Sequence, residues 1–334
     1  MADLRTTYLG LKLEHPIIAG ASPMCDTLDG ARRLEDGGAA AIVLRSLYEE
    51  QLRAESMATH ASMAGPAEAF AEAISYFPDP DEFVLGPQEY LRHLTRVKEA
   101  LGIPVIASLN GVIPGRWLDY ATMMEQAGAD AIELNLYEVV TNPRADSASI
   151  ERSNAALITA IRERTKLPIA VKLSPFYTSL PNVASRYLEA GATALVLFNR
   201  FFEPDLDIER IEVTPHLELS SARELLLRLR WLAILSGSLH GELAVSGGVQ
   251  DEIGVVKSIM CGANAVQVVS EVLRHGPGRF AQLRAGLNEW LDEYEYVSVR
   301  QMHGCMNIKR CPDPNAHTRA QYLKMLHTWK PEMA

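Results

Sequence analysis

A chain of 334 residues, 48% hydrophobic and 22% charged, is long enough for one large domain or two modest ones and is composed like an ordinary soluble globular protein. Its formal net charge of -10 opposes phosphate backbones, so nucleic acid is not an expected partner. No apolar stretch reaches the roughly 18 residues a bilayer span needs, and Met1 leads into Asp3, Arg5 and Thr6 without the apolar run of a secretory signal. The expectation is a reduced cytoplasmic protein, off the membrane.

Along the chain, short apolar runs alternate with longer segments of helical periodicity. The runs fall at 16–20, 40–44, 103–108, 131–135, 168–173, 194–198, 243–246 and 263–269. Each is almost continuously apolar, as strands buried on both faces of a parallel sheet should be. Between them, Asp26-Thr27-Leu28-Asp29 opens a helix ending at Gly37-Gly38, Pro87 starts one that continues to Gly102, and a third spans 117–127 before Gly128. Ala127-Gly128-Ala129, Ala190-Gly191-Ala192 and Gly262 read as helix ends followed at once by the next strand. About eight evenly spaced βα units favour an α/β fold of the closed (β/α)8 TIM-barrel type over an open sheet. Two connections, 46 to about 86 and 199 to about 221, are too long for simple turns and follow strands 2 and 6, so both are expected over the catalytic mouth. A small helix is expected within the first, at 57–73. No linker divides the chain, and the whole of 1–334 reads as one domain, with a tail after about residue 290, bearing Tyr294, Tyr296 and Trp329, packed on the barrel exterior.

Four cysteines, Cys25, Cys261, Cys305 and Cys311, are too scattered for a disulfide framework. Cys305 and Cys311 lie close enough to pair or to share a metal, but there is no CxxC and His303 is the one adjacent histidine, so no metal site is expected. Nor does the cysteine pattern suit an iron–sulfur centre. Electrons would be carried by an organic cofactor or passed to a partner.

In such a barrel, polar residues at the C-terminal ends of strands are the place to seek function. Here they are Arg45-Ser46, Ser108 to Gly111 with Asn110, Glu133-Leu134-Asn135, Lys172, Asn199-Arg200 and Ser246-Gly247-Gly248. Taken singly, each has a plain reading, since every strand must exit into water; the convergence is the signal. Ser246-Gly247-Gly248-Val249 and Gln267 to Ser270 end the last two strands, the usual phosphate position of this barrel, where glycines admit an anion to backbone N–H groups. The competing reading is a tight turn needing positive φ. Lys172, inside an apolar strand, either snorkels to the rim or faces a fixed anion, and a reduced flavin is such an anion. Cofactor contact is the favoured reading because the strand offers few other partners.

Several phrases, taken together, resemble the dihydroorotate dehydrogenase family, chiefly its soluble class 1 branch. They are Leu9-Gly10-Leu11 with His15-Pro16, Gly20-Ala21-Ser22, Glu133-Leu134-Asn135, Val171-Lys172-Leu173, Phe198-Asn199, Ser246-Gly247-Gly248-Val249 and Gly262-Ala263, in order over about residues 5–300. The likeness is nearest to the subgroup called dihydroorotate dehydrogenase-like, through Leu197-Phe198-Asn199-Arg200-Phe201 and Leu229-Arg230-Trp231. The resemblance implies an FMN-dependent oxidoreductase acting on CH–CH bonds of a dihydroorotate- or dihydropyrimidine-like molecule in pyrimidine metabolism, and a homodimer. It further implies that Gly20 and Ala21 lie along the isoalloxazine, with Arg45 and Ser46 near it. Asn110, Asn135 and Lys172 would meet the flavin edge or ribityl chain, Asn199 the substrate or flavin, and Ser246, Gly247, Gly248 and Ser270 the phosphate.

The chain departs from the family where the catalytic cysteine belongs. The loop reads Asn135-Leu136-Tyr137-Glu138-Val139-Val140-Thr141-Asn142-Pro143, and Glu138 falls at the base position by counting, with Tyr137 beside it. A partly buried carboxylate can serve as a base; equally, Glu138 can be a solvated loop charge. Arg200 can grip a substrate carboxylate or pair with Glu203 or Asp205. Two further readings stand beside the enzyme: a flavin-binding subunit working within a larger redox complex with a partner protein as electron acceptor, and a barrel binding another phosphorylated ligand.

Overall fold

The computed structural model describes residues 2–48, 86–111, 118–136, 138–200, 203–214, 216–318, 325 and 327. The chain opens with an antiparallel hairpin, β1 (Thr6–Tyr8) and β2 (Leu11–Leu13), turned by Leu9 and Gly10 at φ 56 and 70°. Two successive left-handed residues form the tight turn whose twist matches paired strands.

Eight parallel strands then close a barrel: β3 (Ile17–Ala19), β4 (Ile42–Tyr48), β5 (Val105–Asn110), β6 (Ala131–Asn135), β7 (Ile169–Leu173), β8 (Ala194–Leu197), β11 (Glu242–Ser246) and β12 (Ala265–Val268), with β12 paired back to β3. Every expected apolar run is one of these strands. Outward-facing Ile132, Leu134, Val171 and Leu195 pack under the helices, whereas Ala131, Ala170, Ala194, Ala244 and Ala265 face inward in a separate cluster. Those alanines leave room for Tyr8, Leu9 and Leu13, so the hairpin plugs the barrel floor. A short hairpin, β9 (Asp205–Asp207) and β10 (Glu212–Thr214), stands in the second long connection.

Helices separate the strands: α1 (Leu28–Asp36), α2 (Pro87–Ala100), α3 (Leu118–Gln126), α4 (Ser147–Arg164), α5 (Leu180–Glu189), α6 (Ala222–Ser236), α7 (Glu252–Met260), α8 (Ser270–His275) and α9 (Arg279–Glu293). Their starts carry local caps: Thr27 accepts from Gly30 N–H, Asp146 from Ser149 and Asp251 from Gly254, and Ser221 with Glu224 forms a capping box. Just past α9, Tyr294 and Tyr296 stack on Trp290 of that helix, with ring centroids 4.4 and 5.7 Å away. Residues 304–308 then clamp α7 and α6 through Gly304 N–H to Ile259, Met306 N–H to Met260 and Ile308 N–H to Ala233 carbonyls. The expected helix at 57–73 and Trp329 lie outside the described residues.

One strand differs from expectation. β4 runs on to Tyr48 rather than ending at 44, and its register with β5 slips between Val43↔Ile106 and Ser46↔Ser108. Three residues of β4 thus span two of β5, a bulge that turns Ser46 toward the interior. Arg45 and Ser46 therefore lie within a strand, not at its end.

Candidate active site at the barrel mouth

The register fixes which polar side chains become neighbours. Asn110 pairs with Asn135, and Asn135 with Lys172, across β5, β6 and β7. Asn135 Nδ2 donates to Ser46 Oγ at 2.9 Å and Ser108 Oγ at 3.0 Å, and the two hydroxyls are 2.8 Å apart. Tyr90 of α2 locks this cluster from outside by accepting from Ser108 N–H at 2.9 Å. The bulge is what brings Ser46 into it.

Beside this cluster lies a buried ionic ring, with Glu133 in register with Ser108 and Lys172 with Asn135. Lys172 Nζ donates to Glu133 Oε1 at 3.0 Å and to Gln267 Oε1 at 3.1 Å, and Gln267 Nε2 donates to Glu133 Oε2. Strands β6 and β12 are not neighbours, so this contact crosses the barrel interior. The lysine therefore does have protein partners, which corrects the argument that its strand offers few. Two of its three N–H groups are used, leaving one for a ligand. Glu133 and Gln267 are 0 and 1% exposed but Lys172 is 8% exposed, so the lysine is the member of the ring least sealed from the surface. Beneath it, the Tyr8 hydroxyl is buried with no hydrogen-bond partner among the described residues, and burial together with Glu133 and Glu242 pushes its pKa well up.

The rim over β11 and β12 carries a second donor set. Gly247 and Gly248 sit at φ 89 and 83°, and a Cβ on them would stand 2.8 Å from Arg228 and 2.4 Å from the Leu225 backbone nitrogen. Glycine is required here by conformation and by the packing of α6 behind the turn. Gly248 N–H donates to Ser220 Oγ at 3.2 Å, and Ser220 Oγ lies 2.6 Å from Ser270 Oγ. Gln250 and Arg274 hold the Ser220 carbonyl at 3.1 and 3.2 Å. Buried Arg228 donates to the Ser246 carbonyl, and burial lowers its pKa. Ser220 was not a candidate from sequence; the signal available was the Ser220-Ser221 pair just ahead of the capping glutamate. On the facing side, a Cβ at Gly20 would meet Val269 Cγ2 at 2.7 Å, so β3 and β12 close tightly there. Ala21 packs against the interior cluster.

Other candidates are held elsewhere. Arg45 pairs with Asp26 at 2.7 Å; burial raises the Asp26 pKa despite that cation. Arg200 pairs with Glu224 at 2.7 Å, not with Glu203 or Asp205, because the first turn of α6 lies under the strand exit. Its Nε is buried and has no hydrogen-bond partner among the described residues. Asn199 is anchored by its N–H to the Leu173 carbonyl at 2.8 Å. Glu138 is exposed, so the partial burial invoked for a base is not supplied by the protein, and Tyr137 lies outside the described residues. Among the described residues, no group of three or more His, Cys, Asp or Glu side chains is arranged to hold a metal, and no helix is long and apolar enough to cross a membrane.

Comparison with known proteins agrees with this architecture. The family model for dihydroorotate dehydrogenase matches residues 84–291. A relative from Aeropyrum pernix, provisionally named dihydroorotate dehydrogenase A (fumarate), is 26% identical over 90% of this chain and 97% of its own. Proteins named dihydroorotate dehydrogenase B (NAD(+)), catalytic subunit, are similar too. The one from Methanothermobacter thermautotrophicus is 27% identical over 90% of this chain and 97% of its own, and the one from Methanosarcina mazei 28% over 90% and 94%.

Proposed function

Because this chain belongs to the dihydroorotate dehydrogenase family, we propose that it is an FMN-dependent oxidoreductase acting on a CH–CH bond of a dihydroorotate- or dihydropyrimidine-like molecule. The observation that carries the reading is the Lys172 ammonium, held by Glu133 and Gln267 at the top of an otherwise sealed barrel. The residues present fit FMN. The Ser220 and Ser270 hydroxyls and the glycine turn suit a phosphate monoester, and the Gly20 turn, too tight for a Cβ, suits a flat ring laid along backbone.

In this reading Gly20, Ala21, Ser46, Asn110, Asn135 and Lys172 hold the ring and ribityl chain, and Ser246, Gly247, Gly248, Ser270 and Ser220 the phosphate. FMN, when bound, supplies a two-electron acceptor for a hydride from the substrate. Asn199 and Arg200 orient the substrate, and the free Arg200 Nε is available to an anionic group. Glu138 takes the proton from the adjacent carbon, with Tyr137 beside it. Being exposed, Glu138 would depend on bound substrate, rather than on the protein, to shield it from water. Arg45, already paired with Asp26, frames the mouth.

Purified protein should be yellow and release FMN on denaturation, and dihydroorotate should bleach it. Protein that is colourless, and stays so after incubation with FMN and desalting, would refute the reading. A second reading draws on the names of relatives called catalytic subunits: electrons leave to a separate partner protein. Reduction by substrate without turnover until such a partner is added would distinguish it. Sedimentation would test the homodimer that the family resemblance implies.

A further inference from the structure

The buried ring of Lys172, Glu133 and Gln267 has more order than a contact lysine needs. Both carboxylate oxygens of Glu133 are engaged, one by Lys172 and one by Gln267, and both ends of the Gln267 amide are engaged as well. Flipping that amide would break two bonds at once, so the ammonium has one place to sit. Glu133 is fully buried, and Lys172, slightly exposed, stands one step further along the strands, in register with Asn135 where Glu133 is in register with Ala170. The pair carries no net charge.

We propose that Glu133, held by Gln267, is a positioning residue that keeps the Lys172 ammonium charged and compensated, so that negative charge arriving above it during reduction is met without the protein binding a proton. The inference rests on the flavin reading. An ionised group buried without its counter-charge tends to surrender that charge. With Glu133 made neutral, Lys172 loses its counter-ion below, and the charge placed above it on reduction becomes the reason to regain a proton. With Lys172 made neutral, Glu133 is the unpaired group and behaves in the same way. Each single change therefore couples one extra protein proton to every two electrons taken up; removing both groups takes away both protein sites of that coupling and leaves only what the flavin itself binds. Among the described residues, the other titratable groups facing the ring are engaged or neutral, Tyr90 included, since burial raises the pKa of its hydroxyl. Glu242 accepts from Leu9 N–H, Tyr8 is raised by burial, and Arg45 is paired with Asp26 at the mouth.

The test is the midpoint potential of the flavin-loaded protein, followed from pH 6 to 9 in a dye-mediated reductive titration. Wild type, Glu133→Gln, Lys172→Met and the double variant would be compared. One extra proton per two electrons steepens the slope by about 30 mV per pH unit, the two-electron equivalent of a tenfold change. Glu133→Gln should show steepening toward that limit over part of the range relative to wild type, which also keeps Lys172, and Lys172→Met should show it relative to the double variant, which also lacks the cation. If one single variant does not fold, the other against its own reference carries the same comparison, Glu133→Gln against wild type or Lys172→Met against the double, in which a neutral pair of similar shape is tolerated in a core. Four yellow proteins with one common slope would overturn this role for Glu133 and leave the flavin reading intact. Wild type that binds no FMN would end both.

Discussion

His15, just ahead of β3, is buried and accepts a hydrogen bond on Nδ1 from Ile17 N–H at 3.3 Å, which requires an unprotonated nitrogen there. Burial, and then Arg284, lower its pKa from 6.5 to about 4. Above pH 6.5 the ring is neutral in both folded and unfolded chains. As the pH falls toward 4 the unfolded chain takes the proton first, so stability is lost across that window, by roughly 3 kcal/mol at most. Urea midpoints at pH 7 and 4.5 should therefore diverge in wild type and diverge less in His15→Asn. Glu138 is tested in the same single-residue way. Glu138→Gln should keep FMN and lose on the order of 100-fold or more in turnover, the usual contribution of a general base. Unchanged turnover in a yellow variant would remove it from the mechanism. The sequence marked Lys172 and the rim glycines through their oddity in apolar or strand-end positions. It did not pair Lys172 with Glu133 and Gln267, because the partners lie 39 and 95 residues away and local periodicity carries no information across a barrel.

Among the elements, the caps were readable because they are local. Asp251 starts α7 by accepting from Gly254 N–H at 2.7 Å, and α7 follows the glycine turn directly. Asp251→Ala should cost about 1 kcal/mol in chemical denaturation, whereas no loss would mean that packing alone sets the start of α7. The eight strands were legible for a related reason: continuous apolar runs bounded by helix ends admit few other readings. The bulge in β4 was not legible. It depends on which residues of β5 oppose it, and a slip of one residue exchanges inner and outer faces, so Ser46 joins Ser108 and Asn135 only once the strands are paired. Ser220 escaped notice because the long connection holding it has no periodicity from which to infer burial.

For the whole molecule, closure of the strand ring brings the two ends of the chain's signal together. Residues near Gly20 and residues near Gln267 touch because β12 pairs with β3. Composition and alternation foretold such a ring but not what fills it. Five inward alanines and a plug led by Tyr8 give it a solid floor. Among the described residues such a floor leaves the rim as the doorway, and in the proposed reading a visitor that has reacted would step out before the next stepped in, so that at high supply the two would queue at one threshold.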